Sequence, residues 1–178
     1  TFVTAGRLTR EKNQARLVRA AATARAAGQP FAVVIMGSGP QEPSLRSLVA
    51  ELGLAGTVFL TGHLANPYPV MAAADCFALT SEHEGLPMVI LEALALETPV
   101  LTTEFSSVDG VVPPGAGLVV PAEDQAVSRA MMDLLSRRPT FSTLDVDGYN
   151  ATALEELASA IGLNDDQAPA GPRPSGRM

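Results

Sequence analysis

The chain has 178 residues, of which 47% are hydrophobic and 4% aromatic, with one cysteine and a formal net charge of −7. This composition predicts one globular domain and excludes a disordered or disulfide-stapled chain, while the negative charge argues against nucleic acid as a partner. The sequence contains no apolar run of about 18 residues and no signal-peptide core, so we expect a cytoplasmic protein.

Short β-rich runs alternate with helical patterns over residues 1–138, which is typical of βαβ units around a parallel sheet. We therefore predict a Rossmann-like α/β fold, a three-layer sandwich with strands that are apolar on both faces. The first predicted strand is already under way at Thr1, so we expect a fragment or an excised domain. The predicted strands are Phe2–Ala5, Phe31–Met36, Val58–Thr61, Cys76–Leu79, Pro99–Thr103 and Leu118–Val120.

Helical periodicity fills the gaps between the strands. The first helix has an apolar face of mostly small residues, which predicts close packing on the sheet. Its face consists of Leu17, Ala20, Ala21 and Ala24. The predicted helices are Gln14–Ala27, Gln41–Leu52, Tyr68–Ala74, Met88–Leu96 and Asp124–Arg137.

The alternation of strands and helices stops after Arg138. Residues 139–163 are predicted to be a connector with one amphipathic helix at Ala151–Ile161. The apolar face of that helix holds Leu154, Leu157, Ala158 and Ile161. Residues 164–178 are rich in Pro, Gly and Arg without apolar periodicity, so we expect them to be disordered.

The loop after the first strand runs from Gly6 to Asn13 and carries the only lysine of the chain. Ligands of doubly wound sheets bind beyond the carboxyl ends of the strands, which makes this loop a candidate site. Arg7 offers a rigid fork for phosphate oxygens, and Lys12 offers a point charge beside a helix N-terminus. The two cations suit a diphosphate. The alternative is a solvated loop whose cations pair with Glu11 or nearby carboxylates.

The loops after the second and third strands give weaker signals. Gly37 and Gly39 would let a ligand approach the backbone, or they simply connect a strand to a helix. His63 follows Gly62 and could contact a base or a sugar, or it is a surface histidine.

Two glutamates mark the loop after the fourth strand, with seven residues between Glu84 and Glu92. Met88 and Val89 directly follow Pro87 at the start of the predicted helix. We expect the free N–H groups of these two residues to bind an anion. Glu92 has apolar neighbours, so we expect it to be partly buried and to need a partner such as ribose hydroxyls. The alternative makes Glu84 a helix-dipole partner and Glu92 a solvated residue.

In this order and spacing, the motifs resemble the C-terminal, donor-binding domain of the retaining GT-B glycosyltransferases with a Glu-x7-Glu motif (glycosyl transferases group 1, family 4 type). The resemblance extends from about Gly6 to Leu135 and implies the C-terminal half of a GT-B fold. The matching motifs are Gly6-Arg7-Leu8 with Glu11-Lys12-Asn13, Gly37-Ser38-Gly39-Pro40, Val58–Gly62, Ala74–Phe77, Ser81 with Glu84-Gly85-Leu86-Pro87, Glu92–Ala95 and Thr98-Pro99-Val100.

The resemblance implies a role for each charged residue. Arg7 and Lys12 would bind the diphosphate of a UDP- or GDP-linked hexose in place of a metal ion, and no other cofactor is implied. Glu84 would contact the donor sugar, and Glu92 the ribose hydroxyls. Glu84, Arg7 and Lys12 are thus the predicted catalytic residues. The other predicted donor contacts are Gly6, Gly37, Gly39, Gly62, His63, Gly85, Leu86, Pro87, Met88 and Val89.

The sequence departs from the family pattern in two ways. Glu104 to Gly110 replaces a Gly-rich loop, which leaves the donor contacts of that segment open. The N-terminal acceptor domain of the family is missing, so we expect this chain to bind donor without efficient transfer. That missing domain would be a partner, and peripheral membrane association would occur through it. The alternatives are a non-catalytic nucleotide-sugar-binding module, or a sugar-nucleotide epimerase or hydrolase of the same architecture.

Overall fold

The computed structural model describes residues 1–106, 108 and 110–160, and within these ranges parallel strands form one six-stranded sheet. The strand order is β3-β2-β1-β4-β5-β6, which is the order of a dinucleotide-binding Rossmann sheet. The strands are β1 (Phe2–Ala5), β2 (Val33–Met36), β3 (Val58–Gly62), β4 (Cys76–Leu79), β5 (Val100–Thr103) and β6 (Gly117–Val120).

Helices cover both faces of this sheet. Apolar residues of the first, second and fifth helices pack in one core, and those of the third and fourth pack in another. The helices are α1 (Gln14–Ala26), α2 (Glu42–Glu51), α3 (Tyr68–Ala72), α4 (Met88–Ala95), α5 (Asp124–Arg137) and α6 (Val146–Ala160). The predicted three-layer α/β sandwich is confirmed.

Side chains of the central strands β1, β2 and β4 alternate between the two cores. Phe2 packs in the core beneath α1, whereas the next residue, Val3, packs in the core beneath α4. The expectation that all strands are buried on both faces is wrong at the sheet edges. Phe59 of β3 is 46% exposed and Val119 of β6 is 41% exposed, because the helix layers cover the central strands more completely than the edge strands.

The first helix packs as its sequence predicts. Ala20, Ala21 and Ala24 are fully buried, and small side chains let α1 lie close to the sheet. Asn13 caps the helix: its side chain accepts the Arg16 N–H at 3.3 Å while its backbone is left-handed, with φ 41°. Asn tolerates this conformation better than most residues.

The segment after the sheet differs most from its prediction. The last helix begins at Val146 rather than Ala151, and Leu154, one residue of its predicted apolar face, is 65% exposed. Thr1–Leu144 form one compact unit, and the chain from Asp145 onward is grouped separately. Ile161 and the predicted disordered residues 164–178 lie outside the described residues.

The single cysteine lies in a central strand. Cys76 is 3% exposed, and burial raises the pKa of its thiol to about 12. The predicted buried, unpaired thiol is confirmed. In the described ranges, no helix combines the length and apolarity needed to cross a membrane.

Candidate functional site

The sheet reverses its winding direction between β1 and β4, which are neighbours in space. In open α/β sheets, ligands bind in the crevice outside the carboxyl ends of the strands at such a switch point. Two loops meet there, residues 6–13 after β1 and residues 80–87 after β4. The Glu82 N–H donates to the Glu11 carbonyl at 2.8 Å, and the Thr80 hydroxyl donates to the Asn13 carbonyl at 2.9 Å. These bonds hold the loops together.

An ion pair between Lys12 and Glu84 joins these two loops. Lys12 Nζ is 2.7 Å from Glu84 Oε1 and 2.6 Å from Glu84 Oε2, and the Ser81 hydroxyl donates to Oε1 at 2.6 Å. The Glu84 side chain is only 7% exposed, and a buried carboxylate requires such compensation. Lys12 therefore pairs with a carboxylate, but with the distant Glu84 rather than with the adjacent Glu11.

The carboxyl of Glu11 stays on the outside of the loop. A hydrogen bond with its own backbone N–H is the main cause that lowers the pKa of this exposed carboxyl. Glu11 contributes its carbonyl, not its carboxylate, to the contact between the two loops.

Arg7 lies on the same loop with an exposed side chain. It forms no ion pair with any other residue that the structure describes. Arg7 lines a cavity of about 350 Å³ together with Gly6, Gly37, Ser38 and His63. Four predicted residues of the first three loops thus line one cavity, whereas Lys12, Gly39 and Gly62 are not part of its wall. The apolar part of its wall consists of Ala5, Met36, Leu64, Ala65 and Pro67.

The two glycines after β2 are required by contact between loops. A Cβ on Gly37 would lie 1.9 Å from the Gly6 carbonyl oxygen, and one on Gly39 would lie 2.4 Å from the Leu8 carbonyl oxygen. The Leu8 N–H also donates to the Ser38 carbonyl at 3.0 Å. This packing accounts for both glycines without a ligand, as the connecting alternative expects. The second loop thereby supports the loop that carries Arg7 and Lys12.

Gly62 continues this support at the end of β3. Its carbonyl accepts the Gly37 N–H at 2.8 Å, and its φ of 74° favours glycine. His63, the next residue, is exposed.

The N-terminus of α4 differs from its prediction at one amide. The Met88 N–H donates to the Leu86 carbonyl at 2.9 Å, so the expectation of a free amide at Met88 is wrong. The cause is Pro87, whose φ of −80° and ψ of 73° form an inverse γ-turn. Leu86 and Met88 are 65% and 52% exposed, Pro87 is buried, and Gly85 has open space where a Cβ would stand.

Glu92 stands farther along α4. It lies four residues beyond Met88, or about 6 Å along the axis, and it is partly buried as expected. Its carboxylate has no hydrogen bond or ion pair within the described part of the chain. Of the four charged residues predicted for the donor site, Lys12 and Glu84 are in contact, Arg7 lies on the loop of Lys12, and Glu92 lies on the helix that follows the loop of Glu84.

Sequence reasoning assigned no role to two buried residues that bond within or to the β4–α4 loop, Ser81 and Arg16. Ser81 is fully buried, and its carbonyl accepts the Thr103 hydroxyl at 2.6 Å. Arg16 is 7% exposed and donates to the Thr80 carbonyl at 3.0 Å. Arg16 precedes Ala20 by four positions and so lies on the apolar face of α1, which was the available signal for a buried cation.

A larger cavity of about 600 Å³ lies at the opposite, amino edge of the sheet. Phe2, Phe31 and Leu135 line it, far from the Lys12–Glu84 pair, and ligands of such sheets bind at the carboxyl edge. Among the described residues, no group of three or more His, Cys, Asp or Glu side chains is placed to hold a metal ion.

Known proteins with similar sequences are glycosyltransferases. The chain is 34% identical over 103 residues to an uncharacterised glycosyltransferase of Methanocaldococcus jannaschii, covering 58% of this chain and 25% of that protein. It is 37% identical over 106 residues to the N-acetylgalactosamine-N,N'-diacetylbacillosaminyl-diphospho-undecaprenol 4-alpha-N-acetylgalactosaminyltransferase of Campylobacter jejuni, covering 60% of this chain and 28% of that enzyme.

Solved structures show the same fold. The pneumococcal O-GlcNAc transferase GtfA, solved in complex with UDP and GlcNAc, superposes with a TM-score of 0.74 at 20% identity. The superposition covers 91% of this chain and 35% of that protein. The GT-B type of fold is confirmed by this likeness. The chain spans only about a quarter of the length of the two curated relatives. The model of the family described as "Glycosyl transferases group 1" matches residues 1–165, so the chain belongs to that family.

Proposed function

We propose that this chain is the donor-binding part of a retaining glycosyltransferase that transfers a hexose from a nucleotide-diphosphate sugar. The observation that carries the proposal is the Lys12–Glu84 ion pair at the switch point of the sheet, beside an Arg7 with no ion pair in the described structure. Membership of a glycosyltransferase family and the UDP bound to the similar GtfA structure support it.

The cations would bind the diphosphate. An ammonium group has three N–H donors, of which Lys12 uses two on Glu84 within the described residues, so one remains for a phosphate oxygen. Arg7 adds an exposed guanidinium fork on the same loop. Transfer leaves growing negative charge on the departing diphosphate, and fixed cations stabilise that charge most in the transition state.

The acidic residues would orient the sugar and the ribose. Glu84, the first acid of the Glu-x7-Glu motif, is held by Lys12 and Ser81 and would accept a hydrogen bond from a hydroxyl of the donor sugar. Glu92 would accept from the ribose hydroxyls. The cavity between Arg7 and His63, with a volume of about 350 Å³, would receive the base. Gly85, Leu86, Pro87 and Val89 would form the remaining wall around the sugar. No metal or other cofactor is part of the proposal.

The acceptor would bind elsewhere. We propose that a further domain, of the kind that makes the relatives longer, carries the acceptor site and any peripheral membrane contact. The chain by itself would then bind donor without efficient transfer, in a cytoplasmic setting.

Calorimetry with UDP, GDP and ADP at fixed ionic strength tests the proposal. We expect at least one of them to bind and Lys12→Ala and Arg7→Ala to weaken binding about tenfold each, since each removes a charge-assisted contact. Arg10→Ala is the matched control, because Arg10 is an exposed cation of the same loop, and it should leave affinity unchanged.

Two outcomes would contradict the proposal. One is that the folded wild-type chain binds none of the three nucleotides, and the other is that Lys12→Ala binds as tightly as wild type. The ribose contact is tested by a separate measurement. A 2′-deoxy nucleotide should bind more weakly by roughly 1 kcal/mol, and equal affinity would remove that role from Glu92.

A further inference from the structure

Arg16 is a nearly buried cation directly behind the loop that carries Glu84. Its side chain is 8% exposed, although α1 is otherwise packed through apolar residues at this face. Nη1 donates to the Thr80 carbonyl at 3.0 Å, Nη2 lies 3.5 Å from Glu82 Oε1, and Nε lies 3.5 Å from Asp124 Oδ1. One guanidinium therefore reaches the β4–α4 loop and the first residue of α5.

The contact of Arg16 with Thr80 fixes the peptide from which the Glu84 loop departs. Thr80 is 3% exposed, so its carbonyl would be a buried acceptor without a donor if Arg16 were absent. The next residue is Ser81, whose hydroxyl donates to Glu84 Oε1 at 2.6 Å. A rotation of the Thr80–Ser81 peptide would therefore move the Ser81 hydroxyl and the carboxylate that it holds.

A second connection runs from Arg16 toward Lys12. Glu82 Oε1 lies near Arg16 Nη2 and also accepts the side-chain N–H of Asn13 at 2.8 Å. Asn13 directly follows Lys12, and its carbonyl accepts the Thr80 hydroxyl at 2.9 Å. Arg16 is thus linked to both partners of the Lys12–Glu84 pair, while it touches neither of them.

We propose that Arg16 is a positioning residue that holds the Lys12–Glu84 pair in place through the Thr80 carbonyl and Glu82. The assignment to donor binding rests on the proposed function above, whereas the effect of Arg16 on the pair does not.

Arg19 provides the matched comparison. It lies one turn farther along α1, and its guanidinium bonds to the same Asp124, but in the described structure it does not reach the β4–α4 loop. A loss that comes only from weaker packing of α1 on α5 would appear equally in Arg16 and Arg19 variants. A loss that comes from the loop would appear only in Arg16 variants.

The single lysine of the chain makes the test direct, because ¹⁵N-lysine labelling gives one side-chain NH₃⁺ signal, that of Lys12. Glu84→Gln sets the reference position of that signal when the ion pair is lost. We expect Arg16→Met to move the signal toward this reference and Arg19→Met to leave it at the wild-type position. Arg16→Gln is the second variant if Arg16→Met does not fold, and it should move the signal in the same way.

A wild-type signal in a folded Arg16→Met or Arg16→Gln variant would overturn the proposal, and so would an equal displacement in Arg19→Met. The binding measurement uses UDP. Arg16→Gln should bind UDP about tenfold more weakly, Arg16→Lys should recover part of that loss, and Arg19→Met should stay within about twofold of wild type. If wild type binds no nucleotide, the proposed function fails while the lysine signal still decides the role of Arg16.

Discussion

The charged side chains of Lys12 and Glu84 lie at hydrogen-bonding distance from each other, and the buried Ser81 hydroxyl also contacts Glu84. A partly buried ion pair such as Lys12–Glu84 does not by itself stabilise a fold, because the desolvation of its charges offsets their attraction. The pair instead gives a fixed ammonium group a defined direction. Removing Lys12 alone would leave Glu84 as a buried charge without its cation, so every Lys12 variant needs a thermal unfolding control.

Asp124 connects α5 to two arginines of α1, and its charge contributes to stability. The hydrogen bond from Arg19 is the main cause that lowers the pKa of the Asp124 carboxyl, and the nearby charges of Arg19 and Arg16 act in the same direction. Because the folded pKa lies below the unfolded value of about 3.9, the stabilisation is complete above that value and is lost as the pH falls through the folded pKa.

We therefore predict that Asp124→Asn lowers the free energy of unfolding at neutral pH, and that its difference from wild type shrinks below about pH 4. Urea unfolding followed by circular dichroism over a pH series measures both effects. In an Arg19→Gln background the pH-dependent part of the difference should be smaller. A difference that grows as the pH falls would contradict the assignment.

The loops after β1, β2 and β3 behave as one structural element. Gly6 donates to the Met36 carbonyl at 3.0 Å, Leu8 to Ser38 at 3.0 Å and Gly37 to Gly62 at 2.8 Å, so backbone hydrogen bonds continue beyond the ends of the strands. The rigidity of the loop with Arg7 and Lys12 thus depends on glycines in another loop.

We predict that Gly37→Ala destabilises the protein by about 2 kcal/mol or more, because its Cβ would overlap the Gly6 carbonyl and its φ of 142° disfavours alanine. Urea unfolding measures the loss. Gly85→Ala is the control: a Cβ there meets nothing within 4 Å, so stability should change by less than about 0.5 kcal/mol. Equal stability of the Gly37→Ala and wild-type chains would show that the loops can move apart without lowering the free energy of unfolding.

The compact unit Thr1–Leu144 contains the whole sheet and both apolar cores. We predict that a chain ending at Leu144 still unfolds cooperatively, with a Tm within about 5 °C of the full chain. A chain ending at Glu123 is the control. It lacks α5, whose Val127 and Met131 are fully buried, and it should lose cooperative unfolding. Loss of cooperative unfolding in the chain that ends at Leu144 would contradict the prediction.

Much of the fold followed from local patterns. The strands at Phe2–Ala5 and Cys76–Leu79 and the helix at Asp124–Arg137 have the predicted bounds, because apolar runs and helical periodicity are properties of neighbouring residues. The predicted free amide at Met88 was wrong, since the turn at Pro87 depends on a ψ angle that proline does not fix. Arg16 was missed because its partners Thr80, Glu82 and Asp124 are remote in sequence.

The sequence by itself determined an α/β sheet whose strands end in loops with glycines, two cations and two spaced glutamates. Only the tertiary structure decided that Lys12 and Glu84, 72 positions apart, share one ion pair and that Arg16 bonds to the loop that carries Glu84. The physical reason is that periodicity reports which face of an element is buried, whereas the order of strands in the sheet decides which loops become neighbours.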